Sequence, residues 1–173
     1  MLKLKKISRQ AIENALAKAE RYRVLNEPQE AESICRDILR ADPQHRQGHV
    51  VLVLAITDQF GKGLGVHMDQ AYELLDQLKD EYERAYYEGV ILERWAKAQL
   101  GRGTPVYVVH DWFRKAMSCF EKAEAIRPAG NDEAILRWNT CARMIERESG
   151  KEQREHPPEA KWSEQFDDEV PIV

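Results

Sequence analysis

The chain has 173 residues, 43% hydrophobic and 32% charged, with a net charge of −4, which suits one soluble domain with a sizeable core. No apolar run approaches the roughly 18–20 residues of a membrane span. The basic start MLKLKKISRQ lacks the apolar core of a secretion signal. Lys and Arg against Asp and Glu give +4 for residues 1–27, −4 for 28–149 and −4 for 150–173, so no basic face dominates and nucleic-acid binding is not expected. Cys35, Cys119 and Cys141 are odd in number and lack CxxC spacing. That speaks against a disulfide framework or structural zinc and for a reducing, cytoplasmic setting.

Helices are predicted at about 8–25, 28–40, 44–60, 68–80, 82–100, 105–126 and 131–148. In the second, steps of 4 and 3 place Ala31, Cys35 and Ile38 on one face, and Pro43 lies five residues beyond to end it. The third contains VVLVLAI (50–56), whose β-branched residues read locally as a strand, followed by Gly61, Gly63 and Gly65. Strand, glycine loop and helix outline a nucleotide-binding turn. However, GxGxG is not GxGxxG, no Gly-Lys-Ser/Thr follows, and no second strand candidate exists. The helical penalty of the β-branched residues is roughly 2–3 kcal/mol. Burying seven apolar side chains contributes on the order of 10 kcal/mol, so a helix wins and the glycines are a linker.

Ala71, Leu75 and Leu78 repeat the steps of 4 and 3 in the fourth helix, with Glu83 in place of the proline. Thr104-Pro105 is a start signal for the sixth, with Thr104 as N-cap. Its extra turn, carrying Val106, Val109, Trp112 and Phe113, is expected to bury against a neighbour. Ala116, Phe120, Ala123 and Pro128 then repeat the full 4, 3, 5 spacing. The seventh helix carries Ile135, Trp138, Cys141 and Ile145 as an apolar stripe and would cap the stack. Residues 150–173 are polar, acidic and Pro-containing and read as a C-terminal tail beyond a helical domain at 1–149. Trp162, Phe166 and Val-Pro-Ile-Val would anchor it on its own domain or on a neighbouring copy.

The recurring spacing resembles the tetratricopeptide repeat, a 34-residue helix-turn-helix that stacks into a solenoid. AMSCFEKAEAIRP (116–128) is similar to the second helix of a repeat. AYYEGVILER (85–94) is similar to a first helix, with Gly89 at the small position where helices touch. ALAKAERYRVLNEPQEAESICRDILRADP (15–43) reads as a nearly complete repeat with Ala19 small and Tyr22 bulky. The marker alanines are 40 and then 45 residues apart instead of 34, the excess falling at 61–67 and 101–112. The resemblance implies an all-α, right-handed solenoid of about three helical hairpins plus a capping helix.

His45 and His49 stand four apart but lack a third ligand at zinc spacing, so no metal or cofactor is expected. The cysteines fall at packing positions, and no triad or paired-carboxylate pattern stands out, so no catalysis is expected. The resemblance implies a protein-binding module, an adaptor or assembly factor, that takes a peptide or amphipathic helix in a concave groove lined by the first helix of each hairpin. Its register places Leu16, Glu20, Arg23, Val50, Leu54, Thr57, Tyr86, Val90, Arg94, Ile135, Asn139 and Arg143 in that groove. The carboxylate clamp that some members use on heat-shock chaperones is missing, its positions being Leu16, Glu20, Val51, Glu83 and Tyr87. Alternatives are a dedicated chaperone for one client and a structural homo-oligomer.

Overall fold

The computed structural model describes residues 2–62 and 68–155. Among them are seven α-helices and no strand: α1 Ile12–Val24 (after a 3-10 turn, Arg9–Ala11), α2 Pro28–Ala41, α3 Arg46–Thr57, α4 Met68–Leu75, α5 Glu81–Gly101, α6 Val106–Ala125 and α7 Glu133–Glu155. Each helix packs on the next, and α1, α3, α5 and α7 also touch in series.

The steps of 4 and 3 mark the core. Ala31, Cys35, Ile38, Ala71, Leu75, Leu78, Ala116, Phe120 and Ala123 are all buried. The run VVLVLAI lies inside α3 as a helix, with all but Leu54 buried, because α3 is covered by α1, α2, α4 and α5. Packing on several sides outweighs β propensity there. Gly61 follows with φ +81°, a left-handed turn that favours glycine. Gly63 and Gly65 lie outside the described residues. Gly89 is where α5 and α6 meet: a Cβ there would stand 2.5 Å from the ring of the buried Phe120.

Several boundaries differ from expectation. Thr104 does not cap α6; its hydroxyl donates to Gln99 Oε1 at 3.0 Å, and Pro105 takes the N-cap position. Val109 and Phe113 of the extra turn are buried as expected, while Trp112 is half-buried. The fourth helix stops at Leu75 rather than near 80, closing in two short turns, Gln77 N–H to Leu74 C=O and Leu78 N–H to Leu75 C=O. α7 continues past 148 to Glu155 and so takes up residues assigned to the tail. Its run of Glu, Arg, Lys and Gln favours helix strongly enough to carry through Gly150.

Two apolar clusters make up the core, one centred on α1 to α4 and one on α5 to α7. Leu54, Met68, Tyr72 and Tyr87 pack against both and join them.

Candidate functional site

The odd-numbered helices are joined by charged side chains. On α1, Arg23 Nε donates to Asp58 Oδ2 at 2.7 Å. Arg94, on α5, sends one nitrogen to Asp58 Oδ1 (2.6 Å), Thr57 Oγ1 (2.6 Å) and the Leu54 carbonyl (3.0 Å). The Leu54 carbonyl already accepts from Asp58 N–H at 2.9 Å and from the Thr57 hydroxyl at 3.0 Å, so Arg94 adds a cation at the C-terminal end of α3, where the helix dipole favours one. One residue earlier, Glu93 is fully buried between Lys97 and Arg137, whose Nη1 lies 3.0 Å from Glu93 Oε2. A seam of six charged groups thus runs from α1 to α7.

Cations outnumber anions along it: Arg23, Arg94, Lys97 and Arg137 against Asp58 and Glu93. Burial, set against the nearby Asp58 charge, lowers the Arg94 pKa, and the cations Arg23 and Arg137 push it the same way. Arg137 is also penalised by burial, but its Glu93 partner outweighs that and its pKa is raised. Arg23, Asp58, Arg94 and Arg137 are each 19 to 30% exposed, so the seam has an open side.

At the opposite end of the same helices, Arg46 at the start of α3 makes a two-pronged pair with Glu83 in the first turn of α5, at 2.9 and 2.6 Å. Glu83 N–H in turn donates to the N-cap carboxylate of Asp80 at 2.8 Å. Two cavities, of about 450 and 200 Å³, share Arg46, Asp80 and Glu83; the smaller also reaches Tyr82, Tyr86, Tyr87 and Asn131.

The twelve expected groove residues divide by depth. Leu16, Val50, Thr57, Tyr86 and Val90 are buried, so these five assignments are corrected: they are core residues that a partner cannot touch in this conformation. Periodicity supplies a direction from the helix axis but no depth, and these five point into the contact between helices. Arg23, Thr57 and Arg94 are brought together in the seam. Leu54 is half-buried between the two cores, Ile135 and Asn139 are partly covered, and Glu20 and Arg143 are exposed. Asp58, Glu93, Lys97 and Arg137 were missed. The signal for Glu93 was an acid set inside the apolar stretch of α5; Asp58 lay one residue outside the transferred register.

His45 is a cap, its Nδ1 accepting from Gly48 N–H at 3.0 Å, and His49 Nε2 donates to the Pro43 carbonyl at 2.9 Å. Among the described residues no three His, Cys, Asp or Glu side chains gather as a metal would need. Burial pushes the thiols of Cys35 and Cys141 up to about 12 and that of Cys119 to about 11, so all three are protonated and poorly nucleophilic near neutrality. Nor is any helix of the described residues long and apolar enough to cross a membrane. No family model, curated protein or solved structure matches the chain.

Proposed function

We propose that this chain is a tetratricopeptide-like repeat protein, a non-enzymatic adaptor or assembly factor that binds a segment of another protein where α1, α3, α5 and α7 meet. One observation carries the reading. The bonds joining the odd-numbered helices connect residues 35, 36 to 37 and 44 apart: Arg23 to Asp58, Thr57 and Asp58 to Arg94, and Glu93 to Arg137. Contacts at nearly one repeat length, with a buried Ala, then Cys, Leu or Phe, then Ile, Leu or Ala marking each second helix, are what stacked helical hairpins make. The excess at the last step matches the longer α5 and α6.

The binding surface then consists of the accessible members of that face: Glu20, Arg23, Arg94, Arg137, Asn139 and Arg143. Affinity capture from the source cells would compare wild type with Glu20→Arg and Arg143→Glu. Both residues are exposed, so helicity should be unchanged. A partner held by wild type and lost with both variants supports the face; a partner equally retained by both overturns it.

A structural homo-oligomer is favoured by a different feature. Val24 and Leu25 are 86% and 59% exposed, and Leu25 borders a hollow of about 480 Å³ with Ala17, Lys18, Arg21 and Tyr22. Sizing over a hundredfold concentration range separates that reading: a constant monomer removes it.

A further inference from the structure

We infer that residues 156–173 of this chain fold back onto the open side of the cationic seam, setting their acidic stretch Asp167-Asp168-Glu169 against Arg94, Lys97 and Arg137. The contact lies within the chain, so it holds or fails independently of any partner's use of the same face.

Charge is the first support. The seam carries two more cations than anions, and Glu20, one turn before Arg23, offsets only one of them. The protein as a whole carries −4, so this is a positive strip on an acidic molecule. Residues 156–173 hold five acids (Glu159, Glu164, Asp167, Asp168 and Glu169) against Lys161 alone. Burial is the main cause of the lowered Arg94 pKa, and the neighbouring Arg23 and Arg137 add to it. An added carboxylate would relieve that repulsion in a partly desolvated place, where charge contacts count for more than in open water.

Reach is the second. α7 runs alongside α5 in the same direction: Tyr82 and Asn131 line one cavity, Glu93 is bonded to Arg137, and Cys141 lies among Glu93, Lys97 and Arg137. α3 and α5 likewise run together, from Arg46–Glu83 to Asp58–Arg94. The last turn of α7 therefore lies beyond the seam on the side of the C-terminal ends of α3 and α5. From Glu155 back to the level of Arg94 is about 20 Å at roughly 1.5 Å per helical residue. Crossing α5 and α3 to Arg23 on α1 adds about 30 Å, three spacings at roughly 10 Å between helix axes. Eighteen residues in extended form reach about 60 Å, so the segment covers the whole seam with slack for a turn at Pro157-Pro158.

The third is chemical pattern. Trp162 and Phe166 precede the acidic stretch at a spacing of four, and Val170, Ile172 and Val173 follow it. The seam is bordered by Leu54, half-buried between the two cores, which gives an apolar residue of the segment somewhere to rest.

The test is zero-length carbodiimide crosslinking of the full-length chain, read by peptide mass spectrometry. Lys97, 39% exposed, is the amine of the seam. The expected product joins Lys97 to Asp167, Asp168 or Glu169 within one molecule. Mixing isotopically light and heavy chains identifies it, because intramolecular links carry no mixed label. The chain carrying Asp167→Asn, Asp168→Asn and Glu169→Gln keeps every folded contact described here. As a second measurement, rapid alkylation of Lys97 should be roughly tenfold faster in that variant than in wild type, the equivalent of losing three screened charge contacts. Links from these carboxylates to Lys3, Lys5, Lys6 or Lys18 instead would place the segment on the basic N-terminal side and overturn the proposal. Mixed-label links would assign the contact to a second copy, and equal Lys97 alkylation in both chains would remove it altogether.

Discussion

Arg46–Glu83 and Asp58–Arg94 join α3 to α5 at opposite ends, and Glu93–Arg137, beside the second, joins α5 to α7, all with similar bond lengths of 2.6 to 3.0 Å. Their surroundings differ. Arg46 is 68% exposed on its side chain while its partner Glu83 is covered at 10%; in the seam both members are covered, Arg94 19% exposed and Glu93 not at all. At the outer clasp, water screens and competes with the pair. In the seam, Glu93 is fully withdrawn from water and Arg94 largely so, and a missing partner leaves those charges less well compensated inside the protein. Bond length alone would rank the two ends as equals; burial separates them.

Four experiments break or sharpen that contrast. Arg94→Ala should have the largest effect, lowering unfolding free energy by about 2–4 kcal/mol in urea titration, because Asp58 is left with Arg23 alone and the largely covered Arg94 side chain loses its charged bonds and its packing. Gly89→Ala sits between the two ends and changes no charge. Its Cβ would meet Phe120, which is enclosed, so about 1–3 kcal/mol should be lost as a lower midpoint in thermal unfolding. Arg46→Ala should cost about 1 kcal/mol in the same urea titration, and 0.5 M salt should reproduce most of that loss in wild type. If Arg46→Ala matches Arg94→Ala, the contrast fails.

The smallest effect is on Cys141, which burial and then the Glu93 charge keep protonated. At pH 8 a thiol reagent should label it only when the seam opens. Arg46→Ala should leave that rate near the wild-type value, while Arg94→Ala should raise it.

Most of the helical layout could be read directly from the residues. Ala31, Cys35 and Ile38, with their counterparts in α4 and α6, announce their faces through steps of 3 and 4, and every one of them is buried. Boundaries were harder. Thr104 looked like a cap, but the chain enters α6 one residue later, and the Thr104 hydroxyl is satisfied by Gln99.

The seam was legible only in fragments. Arg23, Thr57 and Arg94 come from the repeat register, yet what draws them together is Asp58, which that register does not include. Glu93 and Arg137 are 44 residues apart, and their pairing depends on how far α7 slides along α5, which no local pattern records. Val50, Tyr86 and Val90 show the converse: correct direction, and a depth that only the neighbouring helices determine.

The bond from Arg94 to the Leu54 carbonyl has one more consequence. That carbonyl already accepts from Asp58 N–H and from the Thr57 hydroxyl, so α3 closes its last turn with its own residues, and Arg94, 40 positions further along the chain, adds to a turn already made. During synthesis α3 can therefore finish before α5 appears, with Arg23 holding the Asp58 charge until Arg94 arrives. Shortening the chain after residue 62 would remove that second guanidinium and leave the turn its local bonds.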